Sequence, residues 1–294
     1  MGICDSIING INVINHFVCY LVDIFFYIVS KLLRLGKKRY PYKDRVAGNR
    51  KLTILANGPS LRKVLENYKE NDLFDNSDYV VMNYFAHENV FRELKPKYYC
   101  LADPMFLIKD SRYEKVMALF KVLNEEVDWD MDLYIVFNKK KFLRFSGLNN
   151  PHIHICSINV SKFMGFGSFA HLLYRHNFAA PIMGTVANLC VYIGLNNGYK
   201  TINLFGVDMS FFEGICVDEN NQLCSIIRHF YDDKTELRPY IDQQTNQAMK
   251  LSKYIDMVNL MIKSHEVLAS YALSLGANVV NRTENSMLDC YPRS

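Results

Sequence analysis

The sequence lacks the residue patterns of common structural metal sites and redox motifs. Its eight cysteines include no C-x-x-C pair, and no group of cysteine and histidine has the spacing of a zinc site. Several cysteines lie within apolar runs, where cysteine behaves as a small hydrophobic residue. These features argue against a zinc-stabilised module and favour reduced thiols in a cytosolic compartment.

The chain also lacks a strong charge imbalance. Its formal net charge is +4 over 294 residues. The basic excess is concentrated in one cluster, opposed there only by Asp44, whose members are Lys31, Arg34, Lys37, Lys38, Arg39, Lys43 and Arg45. Because the remainder is close to neutral, we expect no nucleic-acid partner. There is no internal repeat and no low-complexity linker either.

The apolar segment at residues 7–35 lacks the features of a signal peptide, since no basic stretch precedes it and no small-residue cleavage site follows it. Polar or amphipathic residues recur in it every three or four positions, which predicts an amphipathic helix. Some of them would be costly inside hydrocarbon, namely Asn12, Asn15, His16 and Asp23. We therefore expect residues 7–45 to bind peripherally at the cytoplasmic face of the inner membrane. The alternative is an ordinary helix packed on the domain or on a partner chain.

Beyond this segment, short apolar runs alternate with stretches of helical character. The runs predict strands at 51–56, 78–82, 97–102, 133–137, 152–156, 200–205 and 278–281. The stretches predict helices near 61–68, 86–94, 111–124, 184–197 and 244–275. The alternation predicts an α/β protein: an N-terminal helix and basic linker over 1–45, and one Rossmann-like domain with a mostly parallel sheet over 46–294.

Short turns that contain polar residues or glycine follow five of the seven predicted strands. They are Asn57-Gly58-Pro59-Ser60, Asn83, Asp103, Gly206-Val207-Asp208 and Asn285-Ser286. Because ligands bind beyond the carboxyl ends of parallel strands, we expect these turns to border one site. Asn83 and Asp103, taken alone, could each instead form a turn or a helix cap.

The first of these turns carries the clearest signal. Gly58 lets the backbone approach a ligand closely, and Pro59 with Ser60 suits the start of a helix, whose free N–H groups attract phosphate. The turn matches neither G-x-x-x-x-G-K-[ST] nor G-x-G-x-x-G, which disfavours the common ATP and NAD sites. Gly184-Thr185 opens a later helix, and we expect either a second anion or sugar contact there or an ordinary cap.

Residues 209–243 are polar, irregular and rich in aromatic residues, which predicts a lid over the sheet edge. His229 within it is the best candidate for a general base, because imidazole titrates near neutral pH. Asp208 and Glu213 are the second candidates. Tyr231 is a candidate for stabilising a leaving group.

Together these motifs resemble a known family. LANGPSL, Asn83, LADP, NNGYKTINLFGVD and ENSML are similar, in this order, to the pattern of bacterial sialyltransferases of the Campylobacter type. They also resemble the domain-of-unknown-function 115 group, which includes flagellin-glycosylating Maf proteins and a pterin pyrophosphokinase. The resemblance covers residues 51–290 and implies a GT-A-like variant of the Rossmann fold.

The resemblance also implies a site, built around a CMP-activated sugar donor and a histidine base in the lid. It places the phosphate and the sugar on one turn, formed by Asn57, Gly58, Pro59 and Ser60. It places the cytidine end on Asn83 and Asp103. It places the donor beside Gly184 and Thr185, and the base pocket at Phe205 and Gly206. The family's donor sugar is sialic acid. This chain departs from the family pattern at Asp103, Gly184-Thr185 and Phe205, so an acidic keto-sugar other than sialic acid, or another nucleotide, would fit the same frame.

The function expected from the sequence is transfer of a sugar to a cell-surface glycan, as in lipopolysaccharide or other polysaccharide biosynthesis. No cofactor and no metal are expected, because the D-x-D pattern at 128–132 precedes a strand and so falls at the edge away from the ligand. One alternative is an ATP- and Mg²⁺-dependent pyrophosphokinase-like enzyme, for which that acidic run would matter. The other is a non-catalytic membrane scaffold. The sequence leaves the oligomeric state open, a homo-oligomer included.

Overall fold

The computed structural model describes residues 50–293 except 71, 159–160, 166, 227–236, 243–244 and 246, together with eleven positions scattered between 10 and 28. Strands and helices are numbered here in chain order. Every described position from Gly10 to Ile28 is helical. No helix in the described part of the chain is both long and apolar enough to cross a bilayer.

Seven parallel strands form the central sheet. They are β1 Lys51–Leu55, β2 Ser77–Met82, β3 Tyr98–Leu101, β4 Met131–Ile135, β5 Ile153–Ser157, β6 Thr201–Phe205 and β12 Asn278–Asn281. Their order across the sheet is β12-β6-β1-β2-β3-β4-β5, and every pairing is parallel. The predicted α/β class with a mostly parallel sheet is thus confirmed. The chain moves outward from β1 to β5 and then returns to the other side of β1, so the strand order reverses between β1 and β6.

Helices cover both faces of this sheet. They are α1 Leu61–Glu66, α2 Val90–Leu94, α3 Tyr113–Glu126, α4 Lys139–Ser146, α5 Gly167–Arg175, α6 Val186–Asn196 and α7 Leu251–Ser274. Alternate β1 residues enter the two cores: Leu52 and Ile54 join the apolar cluster under α5, α6 and α7, whereas Leu55 joins the cluster under α3 and α4. Because both faces are buried, the strands read as apolar runs rather than as alternating patterns.

The sequence did not predict two of the helices, and it predicted too early a start for a third. α4 and α5 were not predicted, although α4 has readable ends: Asn138 Oδ1 accepts a hydrogen bond from Lys141 N at 3.1 Å, and Gly147 follows with φ +65°. α7 begins at Leu251 instead of near residue 244. The described residues before it form short antiparallel strands.

The segment predicted as an irregular lid contains these short strands where the structure describes it. They are β7 Cys216–Val217, β8 Leu223–Ile226, β9 Leu237–Pro239 and β10 Ile241–Asp242, and β11 Gln247–Ala248 follows just beyond the segment. β8 pairs with both β7 and β9, and β10 pairs with β11. Tyr254 of α7 supports the segment, since its hydroxyl donates to the carbonyl of Phe211 at 2.6 Å.

The amino-terminal edge of the sheet is held by a buried carboxylate, Asp78. Arg50 Nε and Lys97 Nζ donate to it at 2.7 and 2.9 Å, and the Tyr199 hydroxyl donates as well. Burial raises the pKa of Asp78, but the three donors outweigh burial and leave the pKa below its usual value. This network stabilises the edge that lies opposite the strand-end turns.

His265 of α7 gives the fold a dependence on acid. Its ring is fully buried, with Nδ1 3.2 Å from the Tyr291 hydroxyl, and burial lowers the pKa of His265 to about 3 from its ordinary 6.5. The unfolded chain therefore binds a proton more readily than the folded chain between those values. We expect His265 alone to lower the free energy of unfolding by about 1 kcal/mol for each unit by which the pH falls below 6.5.

The expectation is tested by urea unfolding of the parent chain and of His265→Phe between pH 4 and pH 7 (roughly the span in which only the unfolded histidine is charged). The substitution should flatten the slope of stability against pH. Tyr291→Phe, which keeps the imidazole, should retain the parent slope. Parallel curves for the parent and His265→Phe would contradict the assignment.

Candidate functional site

Gly58 brings the ends of β1 and β6 into direct contact. Its N–H donates to the carbonyl of Gly206 at 2.8 Å, next to the Ala56 N–Phe205 O bond of 2.9 Å. A Cβ at position 58 would lie 1.7 Å from Asp208 Oδ2 and 2.5 Å from Gly206 O, so only glycine fits. Gly206 itself has φ +71°, a left-handed conformation that favours glycine. The two turns thus form one unit at the point where the strand order reverses.

Asp208 occupies the start of α1. Its Oδ1 accepts from the Ser60 N–H at 3.2 Å, and its Oδ2 accepts from the Ser60 hydroxyl at 2.8 Å. The helix start that the sequence predicted as a phosphate site therefore holds the chain's own carboxylate. Burial raises the pKa of Asp208, and the two hydrogen bonds from Ser60 act against that rise.

At these strand ends, two of the buried amide oxygens that lack a hydrogen-bond donor among the described atoms are Asn57 Oδ1 and Asn83 Oδ1. Asn83 has φ +52°, and its main chain is fixed on both sides. Its N–H donates to the Cys100 carbonyl at 3.3 Å, and its carbonyl accepts from the Tyr99 hydroxyl at 2.5 Å. Because an unpaired buried acceptor is costly, these two oxygens are suited to receive donors from a ligand.

Thr185 caps α6 through a reciprocal pair of hydrogen bonds. Thr185 Oγ1 accepts from Asn188 N at 3.3 Å, and Asn188 Oδ1 accepts from Thr185 N at 2.9 Å. The next two N–H groups of the helix, at Val186 and Ala187, have no partner within the helix by its geometry. The start of α6 is accordingly suited to bind an anion.

These groups border one cavity of about 230 Å³ at the carboxyl ends of β1, β2 and β6. Its wall is formed by the strand-end turns, the start of α6 and residues from the lid and α7. The lining residues are Ala56, Asn57, Gly58, Pro59, Met82, Asn83, Thr185, Val186, Ala187, Gly206, Val207, Asp208, Met209, Ser210, Phe211, Glu213, Tyr240 and Tyr254. The charged ones, in the part of the wall that the structure describes, are the acidic Asp208 and Glu213. A parallel sheet binds ligands at such a reversal point.

Four of the nucleotide-binding residues implied by the resemblance lie outside this cavity, and so do Asn285 and Ser286. Asp103 caps a 3₁₀ turn, since its Oδ1 accepts from Met105 N at 2.9 Å. Gly184 packs against Met261, whose Cγ would lie 2.6 Å from an added Cβ. Phe205 is buried in the apolar cluster under α3 and α4, and its ring centroid lies 5.3 Å from that of Phe74.

Ser60, the fourth, reaches the cavity only through its hydrogen bonds to Asp208. His229 and Tyr231 lie outside the described residues. Ser286 is buried, and its hydroxyl supports the β6 turn by donating to the Val207 carbonyl at 2.6 Å.

The acidic run at 128–132 lies at the opposite edge of the sheet, as expected, because it leads into β4. Asp128 accepts from Lys95 Nζ at 2.9 Å, and Asp130 lies 3.4 Å from the His152 ring. Across the described residues, no three His, Cys, Asp or Glu side chains are grouped to hold a metal ion.

Tyr254 was not singled out from the sequence. It reaches the cavity from the first turns of α7, and its ring centroid lies 4.8 Å from that of Tyr240. No local pattern indicates this, because the position of Tyr254 depends on how α7 packs beneath the lid. Tyr240 was visible only as one of several aromatic residues in the lid.

The sheet and its cavity define a Rossmann-like α/β protein with a cavity at the topological switch point. No protein-family model matches the chain, and no curated protein sequence is significantly similar to it. Among solved structures it is similar to a Maf glycosyltransferase from Magnetospirillum magneticum AMB-1, with a TM-score of 0.46 and 15% sequence identity. The match covers 88% of this chain and 36% of that protein, so the chain spans about a third of that protein's length. With a likeness of this extent, the activity has to be argued from the cavity.

Proposed function

We propose that this protein is a glycosyltransferase that takes its sugar from a nucleotide donor, and that CMP is the first nucleotide to test. One observation carries the proposal: the turns after β1, β2 and β6 and the start of α6 border the same cavity. Such a convergence at the switch point of a parallel sheet is typical of nucleotide sites.

The distribution of charge in the cavity suggests how a donor would be oriented. The start of α1 holds Asp208, so a phosphate placed there would meet a carboxylate. The N–H groups of Val186 and Ala187, which have no partner within α6, offer the better phosphate position. The oxygens of Asn57 and Asn83 would then accept hydrogen bonds from ribose or sugar hydroxyls, or from the amino group of a base.

In this proposal His229 takes the proton from the acceptor hydroxyl as that oxygen attacks the anomeric carbon. The bond from that carbon to the nucleotide phosphate breaks, and the phosphate leaves with the electron pair. Tyr231 donates a hydrogen bond to the leaving group. Asp208 is the second candidate base, since burial has raised the pKa of its carboxyl. The acceptor is proposed to be a surface glycan, such as a lipid-linked intermediate of polysaccharide synthesis.

A panel of CMP-, UDP- and GDP-sugars tests the proposal by donor hydrolysis and by calorimetric binding. We expect binding and slow turnover with one nucleotide class, and CMP is the expected one. Absence of binding and turnover with every donor would refute the proposal. Turnover of ATP with Mg²⁺ in its place would favour the pyrophosphokinase-like alternative.

Asn83→Gly is expected to weaken binding of the selected nucleotide about 5- to 10-fold, because it removes one amide acceptor while allowing the left-handed backbone. Asn285→Gly is the matched control, since Asn285 also has positive φ, at +55°, but is exposed and outside the cavity. The control should bind like the parent chain. Equal affinities for both variants would remove Asn83 from the proposed site.

A further inference from the structure

We propose that the N-terminal helix binds an anionic lipid surface through its apolar side chains and the basic cluster that follows it. The first observation is exposure. Eight large apolar side chains between positions 13 and 28 are 45% to 68% exposed, namely Val13, Ile14, Phe17, Val18, Leu21, Val22, Phe25 and Ile28. They recur at the three- and four-residue spacing of a helix, so they share a broad face. A contiguous apolar face of this kind marks an interaction surface.

The helix uses another side chain to contact the domain. Ile24 is partly buried and packs against the apolar cluster under α5, α6 and α7. The domain therefore has a contact with this helix that leaves residues such as Val18 and Leu21 about half exposed. Val18 and Leu21 therefore stay exposed while the helix is in contact with its own domain.

The sequence directly after the helix identifies the chemistry of that partner. The basic cluster from Lys31 to Arg45 contains seven Lys or Arg residues and one Asp. An apolar helical face followed by concentrated positive charge matches a bilayer whose headgroups are negative.

A second copy of this chain is the less suitable occupant. A symmetric dimer with antiparallel helices would leave both basic clusters without a counter-charge, and one with parallel helices would bring the two clusters of the same sign together. Repulsion between the clusters would oppose that contact, whereas anionic headgroups would neutralise them.

The test is co-sedimentation of the full chain with vesicles of phosphatidylcholine alone or mixed with phosphatidylglycerol. We expect stronger partitioning onto the mixed vesicles, and weaker partitioning as salt is raised, because the screened part of the attraction is lost. The double variant Val18→Glu with Leu21→Glu should lower partitioning at least about tenfold, since it places two charges on the apolar face. Leu273→Glu is the matched control on α7, where the side chain is 79% exposed, and it should partition like the parent chain.

Equal partitioning of the double variant and the parent would overturn the proposal, and so would absence of binding to the mixed vesicles or equal binding to both lipids. Sedimentation velocity without lipid is the second measurement. A dimer of the parent chain that the double variant abolishes would assign the face to a second copy instead. Each result is independent of nucleotide binding, so it stands apart from the outcome of the donor panel.

Discussion

Replacing Gly58 with alanine is expected to abolish binding at the cavity and to lower the free energy of unfolding by about 1–3 kcal/mol. The added Cβ would lie 1.7 Å from Asp208 Oδ2 and 2.5 Å from Gly206 O. The carboxylate cannot move aside without leaving Ser60, and the carbonyl belongs to the main chain that receives the Gly58 N–H. The variant must therefore separate the ends of β1 and β6, on which the cavity depends.

The two measurements for Gly58→Ala are thermal unfolding and affinity for the nucleotide selected by the donor panel. Gly167→Ala is the matched control, because nothing lies within 4 Å of a Cβ at the start of α5. The control should be at least as stable as the parent, since alanine is the better helix former. Parent-like stability and affinity in Gly58→Ala would show that the turn can open without consequence, against the geometry described above.

Asp208→Asn is expected to reduce kcat/KM for the selected donor by about 100-fold. The side-chain amide keeps the shape of the carboxylate and can still pair with the Ser60 N–H and hydroxyl, but both hydrogen bonds lose their charged partner. Hydrogen bonds to charged groups contribute about 1.5–3 kcal/mol each, so impairing this pair is enough for a loss of that size. The loss should appear in binding as well as in turnover, because the carboxylate positions the β1–α1 turn.

The pH profile separates this role from a merely structural one. Ser60→Ala removes one hydrogen bond that favours the charged carboxylate, so the pKa of Asp208 should rise further. If ionised Asp208 is required, the acid limb of kcat/KM against pH moves to higher pH in Ser60→Ala. An unshifted limb, together with full turnover in Asp208→Asn, would remove Asp208 from the working site and leave His229 as the base to test.

The edge of the sheet at which the turns gather could be predicted from the sequence, because parallel strands place their carboxyl ends together. Asn57, Asn83 and Gly206 were found in this way, and all three border the cavity. The same rule failed for Asp103, because its carboxylate accepts a hydrogen bond from the N–H of Met105, two residues later, and so caps a local turn. Strand-end position alone does not separate the two roles.

The hydrogen bonds between Asp208 and Ser60 could not be predicted from the sequence either. Asp208 lies 148 residues from Ser60, and only the pairing of β1 with β6 brings the two together. The contribution of Tyr254 depends on packing in the same way. Residues whose roles are set by neighbouring turns were recognisable, whereas those set by contacts between distant segments required the coordinates.

The contact between Gly58 and Gly206 also restricts how this protein can diversify. One wall of its cavity is a main-chain junction with no room for even a methyl group, so a change there damages the scaffold before it alters selectivity. New preferences for a sugar or a base must therefore come from other lining residues, such as Phe211 and Tyr240, which meet the cavity with partly buried side chains. Related proteins with other donors should keep the glycine junction and vary at these aromatic residues.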